Sequence, residues 1–577
     1  MASDGKHEIG AREALRWMFK LLSPERPFIT IALIYGIGVS ILSLATPISV
    51  QMLINSVANT ALVTPLVTLS MALLVLLLIA VLLSALRVHV MEMFIRRFYA
   101  RLVAEITTRA IYACDPFFQD AKREDLFNRY FDVVTVQKAV PSLLVGAFTI
   151  ILQSAVGFAV TSFYHPFFLA FNGLVIFFAF LILLIWTRGA IRSGIALSHA
   201  KYEAAHWLEN VGISNGFYKS QRHVDYAMDR SEVVTANYMA QRKRHFFFSF
   251  SQTVSFLLLY AFSSAGLLAL GGWLVIQQQL SIGQLVAAEL ILSAAFFGLG
   301  QLGAYLDITY DLVAAAEEIG LIFHIEQEDD KPTSHDEPES GMLQFRETMF
   351  SSDRGGTTEF NICIPGGSHL RALAEDHETQ RFFTHALKRH IRPKRGMITV
   401  GGHDILNIDS FKLRSDVVVL DRPTMVDMTV REYLQLSNPA LSSSGALEVI
   451  DKVGLTERIA GLPKGMDTPL STTGWPLSLG EAMALKLAGA MMRQPRILIL
   501  TSLFDMIDPE ILHTIGCDLA KDGTTTIHFT GRNTGRPDSQ YLWVGRDEQK
   551  IVDDAETLAA LCKATKTKNR TSLGVER

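Results

Sequence analysis

In the run "LSLGEAMALKLAGAMMRQPRILIL", residues 477–500, a serine and a glutamate stand three positions apart at the head of an alanine- and leucine-rich stretch. Ser478 and Glu481 at this spacing suit a capping box, in which each side chain meets the backbone N–H of the other residue. The same residues suit a second chemistry. A hydroxyl beside the bare backbone of Gly480, at the positive end of a helix, favours an anion such as a phosphate. Both readings are compatible with the sequence and can coexist. The apolar strand that follows ends in two hydroxyl residues, Thr501 and Ser502.

Other chemistries find little support. A phosphate-cradling loop of the form G-x-x-x-x-G-K-[ST] occurs nowhere in the chain. Cys114, Cys363, Cys517 and Cys562 show no metal-ligand spacing, and no metal site is expected from the motifs. His528 lies inside the strand candidate "TTIHF", where a histidine is more often structural than catalytic.

The elements that must position these residues follow from composition. The chain has 577 residues, of which 49% are hydrophobic and 19% charged, too apolar for two ordinary soluble domains. A net charge of -4 and the lack of long like-charge blocks exclude nucleic-acid binding as a main activity. No Asp, Glu, Lys or Arg lies between Arg26 and Arg87 or between Lys138 and Arg188, and only Glu289 lies between Arg244 and Asp307. A membrane-crossing helix needs about 20 apolar residues, so each block holds two spans and a short turn. The expected spans are 27–49, 64–87, 140–163, 166–187, 246–275 and 283–306. The turns "QMLINSVANT", "SFYHPF" and "IQQQLSIGQ" carry no Lys or Arg, whereas Arg12, Arg16, Lys20 and Arg26 precede the first span, which predicts cytoplasmic termini. All four cysteines then face the reducing side, and no disulfide is expected. The first 26 residues are polar and no cleavable signal peptide is expected.

Between the hairpins, 88–138 and 188–244 are rich in charged helix formers and read as spans continued into the cytoplasm. Helical arms of about 20 to 25 residues would project roughly 30 to 38 Å. They turn near "CDPFFQDAKREDLF" and "WLENVGISNGFYK", whose aromatics suit docking onto another domain. The expected organisation is a membrane domain at 1–325, a charged linker at 326–340, an α/β domain at 341–558 and a mobile basic tail at 559–577. In the third region "NICI", "HLRALA", "MITV", "DVVVL", "RILIL" and "TTIHF" are strand candidates.

Six spans in three hairpins, long cytoplasmic arms and a C-terminal α/β domain resemble an exporter-type ABC transporter half. The ordered motifs "IPGG", "GGHDI", "TVREYL", "PKGMDTPL", "LSLGE" and "RILIL" carry the resemblance over almost the whole chain. It implies a membrane domain and an ABC-type nucleotide-binding domain on one chain, and it locates the family's catalytic positions. The P-loop position holds "AEDHETQRF", with Ala374, His377 and Thr379 where glycines belong, Gln380 for the lysine and Arg381 for the hydroxyl. Glu375, Asp376 and Glu378 stand where a triphosphate would bind, and at about 4 Å one unit-charge pair repels by roughly 1 to 4 kcal/mol. Asp421 replaces the Q-loop glutamine, Thr501 and Ser502 replace the magnesium-associated Asp and the catalytic Glu, and Gly531 replaces the switch histidine. Ser352 stands near the place of the adenine-stacking aromatic.

The residues that the family offers in trans are kept: Leu477, Ser478, Gly480 and Glu481 of the signature, and Asp508 of the connecting loop. The resemblance therefore implies a degenerate subunit of a heterodimeric exporter, with no catalytic residues and no cofactor of its own, in the plasma (bacterial inner) membrane. ATP and Mg are expected on a partner half-transporter with intact ATPase motifs. The alternative is a non-transporting pseudo-ABC scaffold or regulatory subunit; an autonomous ATPase would require turnover by the chain alone. Glu289, the one acidic residue of the sixth span, is a substrate-pathway candidate, although a hydrogen bond within the bundle is the plainer expectation. Gly298, Gly300 and Gly303 suit close helix packing. The cargo class stays open.

Overall fold

The computed structural model describes residues 11–60, 63–114, 124–328, 338–351, 356–439, 442–531 and 540–562. Ser352, most of the expected linker, the tail beyond 562 and residues 115–123 of the first arm's turn lie outside the described residues. The chain divides into two compact units at Glu328/Asp329.

The first unit is helical, with α1 (Ala11–Leu22), α2 (Arg26–Leu42), α3 (Ala45–Thr60), α4 (Val63–Ile111), α5 (Asp132–Ser142), α6 (Phe148–Ser162), α7 (Pro166–Ile213), α8 (Gln221–Ile276) and α9 (Ile282–Phe323). Among the described residues, six stretches are long and apolar enough to cross a membrane. The long helices exceed the bilayer: α8, at 56 residues, is roughly 84 Å long at 1.5 Å per residue. α7 ends at Ile213 and α8 begins at Gln221, with Phe217 exposed in the turn between them.

Local chemistry explains the helix boundaries. His165 caps α7 by accepting the Phe167 N–H at 3.2 Å, with Pro166 at the first helical position, where its missing N–H costs nothing. Ser281 and Gln284 close a capping box on α9 at 3.0 and 3.1 Å. The expected first span at 27–49 is not one continuous helix: it breaks at Ser43–Leu44 between α2 and α3. Pro47, four residues beyond Ser43, has no N–H to offer the Ser43 carbonyl, and its ring crowds that carbonyl. The third span is also modified, because a widened π-type turn at Leu143–Ala147 joins α5 to α6. Arg87 donates to the Val145 carbonyl of that turn at 3.1 Å and to the Thr149 hydroxyl at 2.8 Å. On α9 a Cβ at Gly298 would lie 2.7 Å from Ile150, and one at Gly303 2.5 Å from Thr253, so both glycines permit close helix contact.

The second unit is α/β. Its strands are β1 (Leu343–Ser351), β2 (Thr357–Ile364), β3 (His369–Ala374), β4 (Arg395–Val400), β5 (His403–Asp404), β6 (Val417–Leu420), β7 (Met428–Thr429), β8 (Pro469–Leu470), β9 (Ile497–Leu500), β10 (Thr525–Phe529), β11 (Gln540–Val544) and β12 (Gln549–Val552). Its helices are α10 (His377–Leu387), α11 (Ser410–Asp416), α12 (Val430–Ser437), α13 (Ser443–Lys452), α14 (Thr456–Ala460), α15 (Leu479–Met492) and α16 (Pro509–Lys521). The main sheet has the order β12-β11-β3-β10-β9-β6, and β11, β3, β10, β9 and β6 run parallel. β9 is buried along its whole length, as a central parallel strand covered on both faces must be. Phe345, Phe360, Phe383 and Ile499 pack the sheet core, and Met483, Leu485, Leu487 and Phe504 pack a second cluster around α15.

Candidate functional site

In a parallel sheet the segments after the strands emerge at one edge, where α/β proteins bind ligands. Residues 375–378 follow β3, Gly531 lies just beyond β10, Thr501 and Ser502 follow β9, and Asp421 follows β6. The strand order places these four segments side by side. Ala374 ends β3 in register with Val544 of β11.

The segment after β3 is closed by the chain itself. Asp376, in extended conformation, caps α10 by accepting the Thr379 N–H at 2.7 Å. Its other oxygen receives Arg546 Nε at 2.9 Å and Nη2 at 2.6 Å, while the Arg546 backbone N–H donates to Glu375 at 2.9 Å. Glu378 lies 4.0 Å from the same guanidinium. A carboxylate of this chain therefore occupies the positive end of α10, and an arginine neutralises it. Burial pulls the Asp376 carboxyl up, but the Thr379 N–H and Arg546 outweigh it and hold it below the usual range. Thr379 is fully buried, Gln380 is half-buried, and His377 and Arg381 are exposed.

The other three segments are also internally satisfied. Asp421 pairs with Lys388 at 2.6 Å, both side chains being mostly buried. Thr501 donates through its N–H and its hydroxyl to the Leu420 carbonyl, at 3.3 and 3.2 Å, while Ser502 is exposed and opens a short 3-10 turn. Gly531 donates its N–H to Asp505 at 2.9 Å, and the other Asp505 oxygen faces His528 Nε2 at 3.2 Å. His528 thus ties the end of β10 to the turn after β9. Burial pulls Asp505 up, but His528 and the Gly531 and Thr530 contacts outweigh it and lower its carboxyl.

Beneath this edge a small cavity is lined in part by His369, Arg371, Asp505, His513, Thr526 and His528. The His369 Nδ1 contacts the Thr526 hydroxyl at 2.6 Å, and its ring fits over Gly516, where a Cβ would lie 2.1 Å away. Burial, followed by the neighbouring His513, His528 and Arg371, pushes His369 down to about 4. An unfolded histidine titrates near 6.5, so between these values the unfolded chain binds a proton that the folded one refuses, and stability falls as pH drops through that window. Acidifying from pH 6.5 to 5 should cost this unit about 2 kcal/mol through this group. A urea-unfolding series at several pH values checks it, and His369→Gln should flatten the dependence.

The signature residues lie on the helix that feeds β9. Ser478 caps α15, accepting the Glu481 N–H at 3.4 Å and donating its own N–H to Glu481 at 2.8 Å. Arg458 holds the Glu481 carboxylate at 3.2 Å and the Pro476 carbonyl at 2.7 Å. Leu477 is buried and anchors the turn, whereas Ser478 is exposed. The Ser478 hydroxyl accepts in the cap, so its own proton is free to meet an outside acceptor. A Cβ at Gly480 would find ordinary room, 3.5 Å from Met506. Asp508 is exposed and caps α16 through the Glu510 N–H at 2.7 Å. In the first unit, Glu289 accepts the Ser293 hydroxyl at 2.8 Å one turn along its own helix. Sequence spacing did not reveal Arg546, Lys388 or Arg458, which complete these networks from distant or unmotivated positions.

Among the described residues, six helices long and apolar enough to cross a membrane, followed by this α/β sheet domain, give the fold of an ABC exporter half. Among solved structures, a bacterial Atm1-family ABC exporter with ATP bound superposes with a TM-score of 0.80, covering 94% of this chain and 98% of that one at 16% identity. Among curated proteins, the cyclolysin secretion/processing ATP-binding protein CyaB of Bordetella pertussis is 26% identical over 275 residues, 46% of this chain and 38% of its own. The uncharacterized ABC transporter ATP-binding protein YfiC of Bacillus subtilis is 25% identical over 343 residues, 56% of each. The alpha-hemolysin translocation ATP-binding protein HlyB of Escherichia coli O157:H7 is 26% identical over 246 residues, 42% of this chain and 35% of its own. The chain thus spans between about a third and just over half of these relatives' lengths. No protein-family model matches it.

Proposed function

We propose that this chain is the catalytically silent half of a two-chain ABC exporter, placed in a bacterial inner membrane with both termini in the cytoplasm. One observation carries the reading: Asp376 and Arg546 close the phosphate position from within, while Ser478 stands exposed at the start of α15. A triphosphate would have to displace a carboxylate from both the helix N–H and the guanidinium, and no P-loop lysine is present to receive it. ATP and Mg would be held by the partner's P-loop and acidic pair. Ser478, Gly480 and Asp508 of this chain would face that nucleotide. ATP drives such a pair only if it binds the closed arrangement more tightly than the open one, and contacts offered from the second chain supply that difference.

Purification of the full chain from its native membranes should bring down a second half-transporter carrying an intact G-x-x-x-x-G-K-[ST] motif, and ATPase activity should follow that chain. Recovery of this chain alone, unable to bind ATP, would overturn the proposal and favour a membrane scaffold.

A further inference from the structure

Far from the sheet edge, a histidine and two glutamates converge in the first unit. His199 projects from α7, and Glu317 and Glu318 from α9, all beyond the expected spans. His199 Nε2 lies 3.1 and 3.2 Å from the two Glu317 oxygens and 3.8 Å from Glu318 Oε1. One donor atom from each residue falls within 4.8 Å of the others. Donors bound at about 2.0 to 2.2 Å to a common ion stand about 3 to 3.6 Å apart, so these separations need little adjustment to close on one.

Charge is compatible with the same reading. Glu317 and Glu318 are both 0% exposed, and burying two carboxylates side by side is costly unless cations balance them. Arg129 supplies one positive charge, 2.7 Å from Glu318 Oε2, while Lys201 is committed to Asp132 at 3.2 Å. His199, when protonated, supplies a second, and a bound metal ion would stand in place of that proton.

The surroundings orient the donors. Ser198 donates to Glu318 Oε1 at 3.1 Å, and Arg129 holds the far oxygen, so Oε1 faces His199. Such outer partners fix ligand geometry in metal sites. The His199 side chain is 41% exposed, which gives an ion a path from solvent to the buried carboxylates.

We propose that His199, Glu317 and Glu318 bind one divalent first-row transition-metal ion, which ties the extramembrane parts of α7 and α9 together. A mixed set of one imidazole and two carboxylates suits zinc, manganese or ferrous iron better than calcium, which takes oxygen ligands only. Binding displaces any proton held by His199 into solvent, because the metal needs the neutral imidazole. The site is independent of who supplies ATP, so its failure and that of the proposed function are separable.

The test uses the full chain in detergent, stripped with chelator and then dialysed against Zn2+. One ion per chain is expected by elemental analysis, with a rise in thermal midpoint and X-ray absorption showing nitrogen and oxygen donors without sulfur. Glu317→Gln, an isosteric change, and His199→Gln, at a partly exposed position, should each weaken binding at least tenfold and abolish the thermal shift. His513→Gln, in the other unit, should change neither. No stoichiometric zinc, zinc bound through sulfur, or binding unaltered in both variants overturns the proposal; the two variants folding normally without metal is the pattern expected for a ligand site.

Discussion

Replacing Gly480 with aspartate should lower the ATPase rate of the assembled two-chain transporter by roughly 10- to 1,000-fold while leaving this chain folded, since one close charge pair repels by about 1 to 4 kcal/mol and about 1.4 kcal/mol is tenfold. The new carboxylate would stand beside the partner's γ-phosphate. The fold should tolerate it, because a Cβ at this position meets Met506 at an ordinary 3.5 Å and the Ser478–Glu481 cap is untouched. Gly480→Ala is the control and should be nearly silent. Ser478→Ala is a weaker test, because it also removes a cap worth about 1 kcal/mol. Measured on the purified pair, equal turnover in Gly480→Asp and the parent would sink the idea that this signature serves another subunit.

A second experiment tests whether Asp376 excludes a nucleotide from this chain's own sheet edge. Ala374→Gly, Thr379→Gly, Gln380→Lys and Arg381→Ser together rebuild a G-x-x-x-x-G-K-S sequence in register. This graft alone should still bind ATP poorly, because Asp376 would continue to occupy the start of α10. Adding Asp376→Ser removes that charge and releases Arg546 to meet phosphate, and affinity should rise by roughly 10- to 1,000-fold over the graft alone, again from about 1 to 4 kcal/mol per charge pair. Calorimetric titration of the purified chain reads this directly. Equal affinity with and without Asp376 would show that the internal carboxylate is not the obstacle.

The spans were legible because uncharged blocks are a long-range signal that no local detail obscures. The break at Ser43–Leu44 was also written in the chain, at Pro47, but an apolar run conceals a proline that ends one helix and opens another. In the α/β unit, "RILIL" and "TTIHF" are apolar throughout and mark β9 and β10. β1, "LQFRETMFS", is not recognisable in that way, since its buried Leu343, Phe345 and Phe350 are interrupted by Arg346 and Glu347 at a register shift. β11, "QYLWV", hides behind a polar stretch and is identified by its pairing with β3.

The sheet-edge residues could be located because each follows a strand at a motif's spacing. Their partners could not. Arg546 meets Asp376 across 170 positions, and Lys388 meets Asp421 across 33. The first pair depends on β3 and β11 lying side by side and the second on the end of α10 meeting the end of β6, neither of which local spacing encodes. The carboxylates that would repel a triphosphate are thus legible in the sequence, and the arginine that lets the chain tolerate them is not.

The unbroken length of α8 has a mechanical consequence. Its extramembrane part, from Gln221 to His245, has no proline and no break, and α7 returns beside it to Ile213. Such a pair would act as a stiff lever pivoted where the expected spans begin. Over an arm of about 37 Å, a tilt of about 10° sweeps the tip at Phe217 sideways by about 6 Å, at 1.5 Å of rise per residue. A rotation too small to disturb side-chain packing within the bilayer is thus magnified at the tip to more than the pitch of one helical turn, and a push of that size on the tip is geared down to a fine adjustment of the spans.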